Sequence, residues 1–223
     1  MKALWTALLV LTVCAAAIAI PPQPFFGLNL NANMPVEDFS GKDFINEEGG
    51  ASTGIGGEID VGLAWPDFAV YAGYMFAVNP AEGASDVVIP WPHSDSFHAD
   101  ASGDWTFRRV ILGARIPLSQ AKVSPVIGAG LSIGTAKFDP TVTIEGESFQ
   151  LNEVSSTSTG MFFEGGVRVS IDPKAVMLAL VQYHKYDATF DLDLPESMFG
   201  NQTVSSNFTV TYLALRLGVA YQF

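Results

Sequence analysis

The final eleven residues alternate without a break. Leu213, Leu215, Leu217, Val219, Tyr221 and Phe223 are apolar or aromatic, while Ala214, Arg216, Gly218, Ala220 and Gln222 are small or polar. Period two over that length is a strand with one apolar and one polar face. The same alternation recurs upstream and predicts seven more strands, at Phe25–Asn33, Thr53–Trp65, Phe68–Asn79, Trp105–Ile116, Val123–Phe138, Gly160–Ile171 and Ala175–Asp187, with the last at Phe208–Phe223. The connections after strands two, four and six are short: Pro66-Asp67, Pro117 to Lys122, and Asp172-Pro173-Lys174. Those after one, three, five and seven are long. Short turns at one end and long loops at the other describe an all-β, eight-stranded antiparallel up-and-down transmembrane β-barrel.

The two faces decide which side of the barrel meets lipid. One carries Leu28, Leu30, Ile59, Val61, Val110, Leu112, Leu131, Ile133, Phe163, Val167 and Val181. The other carries Asn29, Asn31, Glu58, Asp60, Arg109, Arg115, Glu164, Arg168, Gln182 and His184, together with Gly73, Gly128, Gly130 and Gly134. A soluble ligand-binding barrel of the lipocalin type lines its interior with the large apolar set. Here charges share a face with glycines, which suits a narrow interior where side chains and backbones crowd. The soluble barrel is therefore the weaker alternative. Trp65, Phe68, Tyr221 and Phe223 gather at the turn side, and Trp105, Phe107, Tyr183 and Tyr186 toward the loop side, so both sets are expected as interfacial girdles.

Composition narrows the class further. The 223 residues hold 23 acidic and only 11 basic side chains, which disfavours nucleic-acid binding. No run of 18 apolar residues forms a spanning helix. Residues 1–19 read as a secretory signal peptide, with Lys2, an apolar stretch Ala3 to Val13, and the cleavage site Ala17-Ile18-Ala19. Residues 20–223 are then one barrel domain. Cys14 is the single cysteine; Leu11-Thr12-Val13-Cys14 fits a lipobox poorly because Val13 is bulky, and no disulfide is expected.

The terminal Phe223, with Tyr221 two residues before it and apolar residues alternating upstream, resembles the assembly signal of bacterial outer-membrane barrels. The whole mature chain resembles the small eight-stranded outer-membrane β-barrel family, which includes the transmembrane domain of outer membrane protein A and outer membrane protein X. That resemblance implies a bacterial outer-membrane protein with both termini in the periplasm. It also implies assembly by the barrel assembly machinery with periplasmic chaperones, a monomeric state, and a structural, adhesive or small-pore role. It does not extend to cell-wall anchoring.

Counting seven residues in from the turn-side end of each even strand gives Glu58, Arg109, Glu164 and Arg216. Alternate strands contribute to common interior layers, so these four are expected to meet, with Gln182 nearby and Asp60, Arg115 and Arg168 adding inward charge. Buried charges require partners. The network is read either as a plug that fixes register or as a gate whose ion pairs exchange to admit small ions, and its layout resembles the charged core of the outer membrane protein A transmembrane domain.

The stretches Pro35 to Ser52, Pro80 to Asp104, Asp139 to Thr159 and Asp187 to Asn207 hold 18 of the 23 acidic residues, with Lys42 the one basic residue among them. They read as a solvated surface, with weak divalent-cation binding as the alternative. Arg108, Lys137 and Lys185 have outward parity near the loop-side rim and are expected to reach the phosphates of outer-membrane lipid and lipopolysaccharide. Some barrels of this size modify lipid A. Candidates for such chemistry are His93, Ser94, Asp95, Ser96 and His98 in the second loop, and His184, but a hydrolase needs serine, histidine and carboxylate within hydrogen-bond reach. His184 points inward and Tyr186 stands two residues on, where a lipid A deacylase carries serine. No catalytic residue, metal ligand set or cofactor is therefore assigned.

Overall fold

The computed structural model describes residues 21–40, 49–85, 89–90, 96–97, 99–144, 147–150, 152–193 and 203–223. Eight long strands form one closed antiparallel sheet: β1 (Gln23–Val36), β2 (Gly54–Ala64), β3 (Ala69–Ser85), β4 (Ala99–Pro117), β5 (Val123–Ile144), β6 (Val154–Ser170), β7 (Ala175–Asp193) and β8 (Thr203–Gln222). Each pairs with its neighbours in the chain, and β8 pairs back with β1. Tight turns join β2 to β3, β4 to β5 and β6 to β7. In the first, the Trp65 amide donates to the Phe68 carbonyl, and the two rings stack with centroids 4.5 Å apart. In the last, Asp172 Oδ1 accepts from the amides of Lys174 and Ala175.

The barrel is strongly staggered. Following directly opposed residues around the wall gives Phe25, Gly62, Tyr71, Gly113, Gly130, Phe162, His184 and Tyr212. The next partner is Pro35, ten residues further along β1 than the start. The paired row thus climbs a little more than one residue per strand, as strand tilt in a closed barrel requires.

The outer face is apolar over the lower part of the barrel. Leu28, Ile59, Leu112, Leu131, Phe163, Val181 and Leu217 are all exposed there. Higher up the outer face turns polar, with Asp104, Thr106, Arg108, Thr135, Lys137, Asp139, Thr157, Thr159 and Asp187. This corrects the expected strand lengths. β5 has 22 residues and β8 has 20, roughly twice the 9–11 a tilted strand needs to cross the hydrocarbon core. The apolar alternation gives out before the strands do. Pairing continues past it, because hydroxyl-bearing strands stay hydrogen-bonded in water, as the Thr135 and Thr157 hydroxyls do at 3.2 Å.

The loop-side aromatics are a second correction. Trp105, Phe107 and Tyr186 do not form a lipid-facing girdle. They share inward parity with Arg109 and His184 and are buried. Phe39, on the short 3-10 turn Glu37–Phe39 after β1, enters the barrel mouth and meets Trp105 and Phe107 edge-on, with centroids 5.6 and 5.7 Å away. Trp105 stacks on Phe138 and donates its indole N–H to the Gly49 carbonyl at 2.8 Å. An aromatic cluster therefore fills the long-loop end of the lumen.

Candidate functional site

The middle of the barrel holds the candidate site. β2 supplies Glu58 and Asp60, β4 supplies Arg115, β6 supplies Glu164, β7 supplies Gln182 and β8 supplies Arg216. Each is buried because it has inward parity on an eight-stranded wall. The Arg216 guanidinium lies between the two β2 carboxylates, with Nη1 2.9 Å from Glu58 Oε1 and Nη2 on Asp60 Oδ2. Arg115 binds Glu164 through Nε at 2.5 Å and Nη2 at 3.3 Å, and its Nη1 is 3.5 Å from Asp60 Oδ2. Gln182 donates to Glu164 Oε2 at 2.9 Å. The Tyr71 hydroxyl donates to Glu164 Oε1 at 3.3 Å while its ring lies under the Arg115 guanidinium, 3.9 Å from the centroid. Asn29 Nδ2 donates to Asp60 Oδ2 at 3.3 Å.

Arg109 stands apart from the expected tetrad. It is fully buried, but its guanidinium donates to Ser132 and Ser158 and lies over the Tyr186 ring, 3.8 Å from the centroid. The stagger explains this. Equal counts from the turns place residues at equal height only in an unstaggered barrel, and the actual offset raises Arg109 above the layer. Asp60 and Arg115 take part in the ion pairs instead. Arg168 lies below the layer, where it lines a cavity of about 50 Å³ with Arg115, Phe25, Val126 and Leu178.

Four asparagines continue upward from the charged layer. Asn29, Asn31 and Asn33 follow one another on the inner face of β1, and Asn79 stands at the top of the file on β3; all four are buried. Asn79 Nδ2 donates to the carbonyls of Asn33 and Ser52. These residues have inward parity in the sequence, but nothing in the alternation marks the amide oxygens that lack a hydrogen-bond partner. The Phe39 stopper was also missed; its one signal is an aromatic directly after two acidic residues.

The outer and enzymatic candidates are placed as follows. Arg108 and Lys185 are exposed on the outer wall. Lys137 Nζ is paired with Glu153. Tyr221 and Phe223 are exposed at the short-turn end, and the Phe223 amide donates to the Pro24 carbonyl at 2.9 Å. His184 is buried, stacked on Tyr212 at 4.6 Å, and its Nε2 meets Gln182 Oε1 at 3.2 Å. Among the described residues no serine or carboxylate is hydrogen-bonded to it, so it has no triad geometry. Ser96 lies by its backbone in a two-residue strand paired with Ile89–Pro90. His93, Ser94, Asp95 and His98, like the expected leader at 1–19 with Cys14, lie outside the described residues. Among the described residues no group of three or more His, Cys, Asp or Glu side chains is arranged to hold a metal ion.

A family model described as the outer membrane protein beta-barrel domain matches residues 5–223. Among solved structures, the chain is similar to Neisserial surface protein A, with a TM-score of 0.52 and 16% identity over 90% of this chain and 97% of that one. It is also similar to the outer membrane protein OprG from Pseudomonas aeruginosa, with a TM-score of 0.57 and 11% identity over 91% and 95% of the two chains. At these identities the likeness concerns the fold alone. No curated protein matches the chain.

Proposed function

The chain belongs to the outer membrane protein beta-barrel family, and from that membership we propose a monomeric, non-enzymatic barrel with a closed lumen and a structural or adhesive role at the cell surface. The observation that carries this reading is the height of the wall. β3 to β8 run well beyond the apolar band and present hydroxyls and charges to water, while Phe39 and its aromatic partners fill the mouth. A wall of that height carries polar strand ends such as Asp139 and Thr157 away from the membrane and serves recognition better than conduction.

In this reading the short-turn end and both termini face the periplasm, and the long-loop end faces outward. Support comes from the polar upper wall and from Arg108 and Lys185 just above the apolar band, where phosphates of lipopolysaccharide are met. The chain reaches the membrane through periplasmic chaperones and the barrel assembly machinery, with Tyr221 and Phe223 as its signal.

The orientation is tested on intact cells with a membrane-impermeant maleimide. Ser148→Cys, at the long-loop end, is expected to label, and Asp172→Cys, at a short turn, is expected to label only after lysis. The closed lumen is tested by planar-bilayer recording of the refolded protein, where traces at background are expected. Lasting porin-like currents contradict the reading, and so does a change in lipid A mass that depends on His184.

A further inference from the structure

Of the arginines in the lumen, Arg115 and Arg216 hold carboxylates, and Arg109 holds two serines and a tyrosine ring. Arg168 holds none of these. Its Nε is buried without a hydrogen-bond partner, and among the described residues no carboxylate is ion-paired with it. The residue directly opposite on β5 is Ser124, whose hydroxyl donates to the Ser119 carbonyl in its own turn. An arginine does not shed its proton, so this burial is costly until an anion meets it. The carboxylates of the layer above are committed, Glu58 and Asp60 to Arg216 and Glu164 to Arg115.

The cavity beside Arg168 has the chemistry to take one. Its volume is about 50 Å³, and no acidic residue lines it. Arg115, Arg168 and Gln222 bring polar groups to it, while Phe25, Phe68, Val126, Val176 and Leu178 give it apolar walls. Phe68 and Gln222 are half-buried at the short-turn mouth of the lumen, so the cavity is reached from that end. The ion-paired layer closes it from above. A planar guanidinium matches a carboxylate at two points. Doubly charged phosphate or sulfate would have to lose water against the apolar walls, and a halide leaves those walls uncovered. We propose that this cavity binds a short aliphatic monocarboxylate, with its head on Arg168 and its carbons against Phe25, Val126 and Leu178. Space of this size holds roughly three to five waters, which is room for an acid of about two or three carbons.

The test is a titration of the refolded, isotope-labelled protein in micelles with sodium propionate, read by NMR at the Arg168 Nε–H. That signal is expected to shift and saturate, while the signal of Arg216, inside the ion-paired layer, stays in place. Propionamide, of the same shape without the charge, is expected to leave Arg168 unmoved. A ligand that binds the folded state alone also raises the urea midpoint. By that measure Arg168→Lys is expected to bind propionate roughly tenfold more weakly, because an ammonium lacks the two-point fork. Ala220→Leu fills the cavity and keeps the arginine; it is expected to abolish the saturable response. Absence of a shift with propionate overturns the proposal. So does an equal shift with sodium chloride, which marks screening of an exposed charge, and so does unaltered binding in Ala220→Leu. The titration of the parent protein requires no substitution, so it decides the question even where a variant fails to fold.

Discussion

Arg115 and Glu164 tie β4 to β6 across the lumen, with Arg115 Nε 2.5 Å from Oε1 and Nη2 3.3 Å from Oε2. The contact is made at two points, and charge-assisted pairs of this form are stronger than neutral hydrogen bonds. Glu164 also accepts from Gln182 and Tyr71, so one carboxylate gathers donors from three other strands. Removing its charge leaves the buried Arg115 guanidinium with only its longer, 3.5 Å contact to Asp60, while Arg216 keeps both Glu58 and Asp60. Glu164→Gln is expected to destabilise the barrel by about 3–5 kcal/mol, measured by urea unfolding in detergent micelles. The double change Glu164→Leu with Arg115→Met is expected to recover much of that loss, because replacing both ions removes the burial cost as well as the attraction. Additive losses in the double variant contradict the pairing.

Arg109 is expected to behave differently. Its partners are two serines and the Tyr186 ring, so its removal leaves no carboxylate uncompensated. Arg109→Met is expected to change stability by roughly 1 kcal/mol or less in either direction, since an apolar side chain of similar length replaces a buried ion at little net cost. A loss as large as that of Glu164→Gln shows that Arg109 belongs to the ion-paired layer after all.

The contrast between these two arginines marks what the sequence disclosed. Side-chain parity is a local property of period two, and it put Glu58, Asp60, Arg115, Glu164, Gln182 and Arg216 inside from the alternation alone. The strand count followed from turn chemistry at Pro66-Asp67 and Asp172-Pro173-Lys174. Height along the axis is not local. It depends on the stagger that closes the sheet, visible only when Phe25 is traced round to Pro35. That is why Arg109 was placed in a layer it does not join. Trp105 and Phe107 carried inward parity too, but the expectation that aromatics prefer interfaces overrode it. The inward insertion of Phe39 is a tertiary event with no periodic signal.

Phe39 makes the mouth testable. Its ring is fully buried against Trp105 and Phe107, yet it belongs to a turn outside the strand ladder, at a point where Glu37 adopts a left-handed φ of 55°. Phe39→Ala is expected to free this segment without unfolding the barrel. Trp105 then meets water, so its tryptophan emission shifts to the red, while the urea midpoint of the strands stays close to that of the parent protein. A large fall in that midpoint with no spectral shift shows that Phe39 is core and not stopper.

The outer face offers a contrast within one strand. Leu131 and Asp139 both point outward from β5 and both are exposed, but Leu131 lies within the apolar band and Asp139 lies above it. Leu131→Arg is expected to cost about 2–4 kcal/mol if the position is near the midplane, because an arginine there must leave hydrocarbon or drag water in. Asp139→Arg is expected to leave stability in lipid vesicles unchanged, since the strand has already left the bilayer at that height. Measuring both by reversible unfolding in vesicles locates the upper membrane boundary between residues 131 and 139. If Asp139→Arg costs as much as Leu131→Arg, the hydrocarbon reaches higher than the polar residues Thr135 and Lys137 allow, and the raised wall on which surface recognition rests is not raised.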